Sequence, residues 1–170
     1  MSIAENVSGK MADETDVERV QECLKRAGLW KDVKVLEKKE FTSISQALDP
    51  EGIQLSGGMV QKLMLARCIY KDAPILVLDE PTAALDPIAE SDMYQEYNKI
   101  TKNKSALFIS HRLASTKFCD RILFIEQGQI LEDGTHEELL QADGKYAEMF
   151  AIQSEYYKEG GEAEYEGALA

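Results

Sequence analysis

The stretch that most constrains the fold is Ile75-Leu76-Val77-Leu78, an unbroken apolar run that ends directly on two acids, Asp79-Glu80. A run this short and this apolar fits a strand covered on both faces, the kind found in parallel sheets. Asp72-Ala73-Pro74 closes the helix before it. Asp86-Pro87 opens the helix after it, with Asp86 as N-cap and Pro87 at the first helical position. That helix would bury Ala89, Met93, Tyr97 and Ile100. Ala106–Ile109 reads as the next strand and ends at Ser110-His111. Helix and strand alternate from Leu55 onward, which predicts an α/β fold with a parallel sheet flanked by helices.

Upstream of Leu55 the texture is different and mainly helical. Met1–Met11 reads as a polar arm. A helix follows, with Thr15 and Glu18 as its capping box, Val17, Val20, Leu24 and Ala27 as its stripe, and Gly28 at its end. Leu29–Phe41 holds a second short amphipathic piece anchored by Trp30. Thr42–Gln54 is loop, turning at Asp49-Pro50-Glu51-Gly52. Ser56-Gly57-Gly58 then leads into a helix with Met59, Leu63, Ala66 and Tyr70 on one face. Beyond His111, a brief helical piece at Ala114–Phe118 precedes a hairpin of Arg121–Ile125 and Gln129–Leu131 turning at Gln127-Gly128. Thr135 and Glu138 form a capping box, and Tyr146–Tyr157 is a final helix. Residues 158–170, rich in Glu among Gly and Ala, read as a disordered acidic tail.

Composition removes several classes. The 170 residues carry 31 acids against 19 bases, a net charge of −12, so the chain lacks the basic balance of a nucleic-acid module. The same charge opposes docking on an anionic membrane surface. No run approaches the roughly 20 apolar residues of a membrane span, so direct insertion is not expected. Cys23, Cys68 and Cys119 match no metal spacing and read as reduced thiols of a cytoplasmic chain.

Four stretches bear chemistry. Ser56-Gly57-Gly58, with Gln61 after it, lets a backbone approach a ligand at a helix start whose N–H groups attract an anion. Asp79 at a strand end suits Mg²⁺ held through water, and Glu80 beside it can polarise an attacking water. Pro81-Thr82-Ala83-Ala84-Leu85-Asp86 follows, and Ser110-His111-Arg112 places a histidine straight after a strand. His136, inside a capping box, is structural.

Order and spacing give these stretches their meaning together. Leu55–Arg67, Ile75–Asp86 and Ser110–Arg112 resemble the signature motif, Walker B, D-loop and switch histidine of ABC-type ATPases. Gly128-Gln129-Ile130 and Gly134-Thr135-His136-Glu137-Glu138-Leu139 are similar to the stretch that follows the switch histidine there, and Ile3–Val7 to the segment just past the Q-loop. The flavour is that of bacterial ABC exporters. Met59 stands where many members have Gln. The resemblance implies a partial P-loop NTPase-type sheet over residues 55–157, preceded by a helical-subdomain portion over 1–54.

It also implies roles. Two such domains close head to tail around two ATP molecules. Ser56, Gly57 and Gly58, with Gln61, would meet ATP held by the second nucleotide-binding domain. Asp79 would help hold Mg²⁺, Glu80 would act as general base, His111 would contact the γ-phosphate, and Asp86 would link the two sites. A transmembrane permease would be the other partner, keeping the chain at the inner face of the membrane without insertion. Chromosome-maintenance and translation ATPases share the signature, but need coiled-coil arms or basic surfaces that this sequence does not carry. An alternative reading is a catalytically inactive partner that only lends its signature, against which Glu80 and His111 are both retained.

One family element is not among these residues. A Walker A loop, Gly-x-x-x-x-Gly-Lys-Ser/Thr, holds the β- and γ-phosphates. Gly9-Lys10 is followed by Met11 and Gly144-Lys145 by Tyr146, so neither fits. The expectation is a carboxyl-terminal part of the domain, inactive alone and prone to associate through uncovered strands. Calorimetry of the 170-residue chain with MgATP is therefore expected to show no binding. Saturable, stoichiometric binding would mean that the phosphate site lies elsewhere, for instance in an anion nest of the amino-terminal arm.

Overall fold

The computed structural model describes residues 1–46, 49–85 and 87–155. Two compact units emerge, Met1–Ile109 and Ser110–Ala170. The expected N-cap Asp86 and the acidic tail 158–170 lie outside the described residues.

Unit 1 begins with α1 (Ile3–Ser8), where a polar arm was expected. The correction has a clear cause. Ser2 and Glu5 form a reciprocal capping box, and Ile3, Ala4 and Val7 are buried at 0–3% exposure, so three apolar side chains suffice to dock one short turn of helix. Helix α2 (Val17–Arg26) starts one residue later than Thr15 implied, because the Asp16 carboxylate accepts the Arg19 N–H and takes the cap. Val20, Leu24 and Ala27 are buried as the stripe requires, joined by Cys23. In α3 (Trp30–Val33) the anchors are Leu29 and Val33, both fully buried, while Trp30 is half-buried at the margin.

Helix α4 (Gly57–Lys71) lies in the same core, burying Leu63, Leu65, Ala66, Ile69 and Tyr70. Leu63, Leu65 and Ile69 each contribute about 1.5–3 kcal/mol by leaving water. Its carboxyl end is tied down by Arg19, which donates to the Tyr70 carbonyl at 2.6 Å and lies 4.5 Å from the Tyr70 ring centroid. Asp72 ends the helix in a left-handed conformation and pairs with Lys104.

Strands β1 (Ile75–Asp79) and β2 (Ser105–Ile109) pair in parallel, Ile75 opposite Ser105 through Asp79 opposite Ile109, and α5 (Pro87–Thr101) connects them. Leu76, Leu78 and half-buried Phe108 face the core with Met93, Tyr94, Tyr97 and Ile100 of α5. The Tyr97 ring meets Phe108 edge-on at 5.7 Å. Coverage on both faces, expected from the unbroken apolar run, is not found. Ile75 (68%) and Val77 (62%) stand exposed, as do Leu107 and Ile109, because the described helices of unit 1 pack on the other side of the pair.

Unit 2 opens with a 3₁₀ stretch, Leu113–Phe118, and continues into the hairpin of β3 (Ile122–Glu126) and β4 (Gln129–Gly134). Gln127 and Gly128 both have positive φ, as a two-residue hairpin turn demands. Helix α6 (His136–Gln141) carries the expected Thr135–Glu138 capping box, and residues 145–155 are helical. Leu113, Ile122, Leu139 and Tyr146 form a separate small core.

The three cysteines are free, and burial pushes each thiol above its ordinary range, so none is a ready nucleophile. Among the described residues, no helix is long and apolar enough to cross a membrane. The open sheet face predicts self-association: sedimentation velocity should show concentration-dependent oligomers. Lys at both Ile75 and Val77 should return the chain to monomer with little loss of stability, since those side chains bury almost nothing.

Candidate functional site

Within unit 1 the acids at the end of β1 and the glycines at the start of α4 converge on one loop, residues 80–85. The ladder runs one residue past the strand: the Glu80 N–H donates to the Ile109 carbonyl at 2.9 Å. Glu80 itself sits at φ +45°, a left-handed conformation that costs a residue with a Cβ on the order of 1 kcal/mol. Two turns follow, Ala83 N–H to the Glu80 carbonyl and Leu85 N–H to the Thr82 carbonyl.

A buried polar cluster secures that loop to α5. Thr82 is 1% exposed; its hydroxyl donates to Glu90 Oε1 at 2.8 Å and lies 2.9 Å from the Tyr94 hydroxyl, which itself donates to the same Glu90 oxygen at 3.1 Å. Burying a carboxylate requires such donors.

On the α4 side, Ser56 is the N-cap. Its Oγ accepts the Met59 N–H at 3.3 Å, and its carbonyl accepts the Val60 N–H at 2.9 Å. Gly57 and Gly58 pack closely on the loop: a Cβ on Gly57 would meet Ala84 Cβ at 3.0 Å, and one on Gly58 would meet Leu85 Cδ2 at 3.3 Å, so either would press its neighbour back by a few tenths of an ångström. Gln61 reaches across to the loop, its Nε2 donating to the Glu80 carbonyl at 3.5 Å and its Oε1 accepting the Ala84 N–H at 3.2 Å.

Two clefts flank this junction. One, of about 540 Å³, is lined by Ser56, Gly57, Gly58, Lys62, Ala84 and Leu85 among others. A helix start, two glycines and a lysine suit a phosphate group. The other, about 470 Å³, exposes Asp79 and Glu80 near Gln61, Arg67 and Lys71. No group of three or more His, Cys, Asp or Glu poised for a metal occurs among the described residues. Asp79 therefore suits Mg²⁺ only where water and phosphate oxygens complete the coordination, which is the usual arrangement for that ion.

His111 lies in unit 2 and is exposed. Its backbone is held from far along the chain by Gln153, whose Nε2 donates to the His111 carbonyl at 2.7 Å and whose Oε1 accepts the Leu113 N–H at 2.9 Å. Nothing in the sequence pointed to Gln153. His136 is structural, as expected. Thr116 donates to the Leu113 carbonyl, so Tyr146, 2.6 Å away, donates to Thr116. His136 Nδ1, 2.7 Å from the Tyr146 hydroxyl, must then be the donor.

The arrangement is that of a P-loop NTPase-type sheet: a parallel pair whose carboxyl ends present two acids, beside a glycine-started helix. The ABC transporter family model matches residues 1–83. The ATP-dependent lipid A-core flippase of Burkholderia pseudomallei (strain 1710b) is 42% identical over 152 residues, 89% of this chain and 24% of that protein. The flippase of Alcanivorax borkumensis is 35% identical over 151 residues, again 89% of this chain and 25% of the relative. Among solved structures, an ATP-bound bacterial Atm1-family ABC exporter superposes with a TM-score of 0.79 at 31% identity, covering 90% of this chain and 26% of that one. The chain thus spans about a quarter of the length of the relatives it matches. It belongs to the ABC transporter family, as a carboxyl-terminal part of its exporter-type ATP-binding domain.

The buried cluster at Thr82 yields a direct test. Thr82→Val keeps the shape but removes the hydroxyl from Glu90 and Tyr94. The denaturant midpoint should fall by an amount equivalent to about 1–3 kcal/mol, the cost of weakening a buried bond to a charged group. An unchanged midpoint would show that the cluster contributes nothing.

Proposed function

We propose that this chain serves in the ATP-driven engine of an ABC exporter, and that its working surface is the signature turn Ser56–Gly58. The single observation that supports this most is the packing of that turn against the loop bearing Glu80. Signature, Walker B end and D-loop start form one continuous surface beside a cleft of about 540 Å³. ATP with Mg²⁺ supplies the transferable phosphoryl group and part of the charge neutralisation. Ser56 and the N–H groups of Gly57 and Gly58 bind the γ-phosphate of a nucleotide held by a second nucleotide-binding domain docked head to tail.

On the chain's own side, Asp79 would help hold Mg²⁺, which would supply charge neutralisation at the phosphates. Glu80 takes a proton from the attacking water, and His111 contacts the γ-phosphate. Asp86 links the two sites across the interface. These roles divide between a donated half-site, the signature, and a chain-borne half that needs a phosphate cradle. Since no Walker A sequence occurs among these 170 residues, the chain alone binds no MgATP and turns none over. Its partners are the second nucleotide-binding domain and a transmembrane permease, which keeps it at the inner face of the membrane. The permease holds the cargo, so residues here do not select it.

The complete nucleotide-binding domain of the Burkholderia flippase is a suitable probe. Sedimentation velocity in MgATP should show a complex with the wild-type chain. Ser56→Arg, which places bulk and charge at the signature turn, should weaken it at least tenfold. The chain alone should hydrolyse ATP no faster than its Glu80→Gln variant. Equal complexes with both chains, or turnover by the chain alone, would overturn the reading.

A further inference from the structure

One side chain joins the signature helix to the loop that carries Glu80. The Gln61 amide uses both of its ends on the same short segment, Nε2 on the Glu80 carbonyl and Oε1 on the Ala84 N–H. The segment is held at other points as well: Glu80 by the Ile109 carbonyl, Thr82 by Glu90 and Tyr94, and Ala84 and Leu85 by close approach of Gly57 and Gly58. Gln61 reaches from α4 to the backbone at both ends of the 80–84 turn. One of its two bonds is to the left-handed residue itself.

We infer that Gln61 is a positioning residue, a latch that makes the signature turn and the loop 80–85 move as one piece, and that it serves nucleotide through that loop rather than by touching it. An amide is required because the two bonds need one donor and one acceptor. Glutamate keeps the acceptor for Ala84 but has no hydrogen for the Glu80 carbonyl when ionised. Methionine has similar reach and neither group. Loss of the latch leaves the helix cap at Ser56 intact but frees the loop from the helix, so the signature turn is presented without its neighbour. The functional half of this inference rests on the signature surface proposed above; the latch itself does not.

The test uses the full 170-residue chain in three forms: wild type, Gln61→Glu and Gln61→Met. Native-state hydrogen exchange is read at the Ala84 and Met59 amides. Gln61→Met should raise exchange at Ala84 at least tenfold, Gln61→Glu should stay within about threefold of wild type, and Met59 should be unchanged in both. In MgATP with the complete flippase nucleotide-binding domain, Gln61→Met should weaken the complex about tenfold and Gln61→Glu should fall between. Unchanged Ala84 protection in Gln61→Met overturns the latch whatever the association shows. Lost protection with undiminished association overturns the positioning role and leaves the signature surface standing. If the wild-type chain forms no complex, the signature reading falls and takes the positioning role with it, while Ala84 exchange still decides whether the latch exists.

Discussion

The parallel pairing of β1 with β2 is the constraint on which the rest of unit 1 depends. Two strands that run the same way cannot be joined by a tight turn, so α5 must cross over and lie on one face. That crossover carries Met93, Tyr97 and Ile100 onto Leu76, Leu78 and Phe108, and it sets Glu90 and Tyr94 where Thr82 meets them. Parallel pairing also brings both carboxyl ends to one edge, where ligands of open α/β sheets bind. Asp79 and Glu80 reach that edge through a ladder that extends one bond beyond the strand.

The loop after β1 shows how an unfavourable conformation persists. A left-handed glutamate costs on the order of 1 kcal/mol, and buried Glu90 would cost more if left without donors. Neither exists alone. The Ile109 carbonyl, the Gln61 amide, the Thr82 hydroxyl and the Tyr94 hydroxyl each fix part of the segment, so relaxing one residue would strand several polar groups. Glycines at 57 and 58 then have a double meaning. They leave backbone accessible at a helix start, and they let Ala84 and Leu85 approach closely, so a side chain at either position would crowd the loop.

Much of this was legible from local chemistry. The capping box at Thr135 and Glu138, the turn at Asp49–Gly52, the helix stop at Asp72 and the hairpin turn at Gln127-Gly128 each depend on a few adjacent residues, and each is present. Where the sequence misled, a neighbour out of register or out of sight decided. Asp16 outcompeted Thr15 as cap because it sits one position nearer the first free N–H. Ile3, Ala4 and Val7 were too few to signal a helix until a core existed to receive them. Trp30 packs against the core only in part, and Leu29 and Val33, both fully buried, anchor the piece with it. The strand Ile75–Leu78 promised two covered faces, and the described helices of unit 1 supply one. In the site, residue types and spacing located Ser56, Gly57, Gly58, Asp79, Glu80 and His111 as candidates, but not what braces them. Gln153 lies far along the chain from the His111 backbone it holds, and Thr82 lies off the helix on which Glu90 and Tyr94 share a face, so no periodicity brings it to them.

The open face of Ile75, Val77, Leu107 and Ile109 carries a consequence for the life of the chain in a cell. Contiguous aliphatic surface on a strand pair is what molecular chaperones and quality-control proteases recognise in incompletely assembled proteins. Whatever packs against β1 and β2 therefore also hides them from that machinery, so covering the face and escaping degradation are one event.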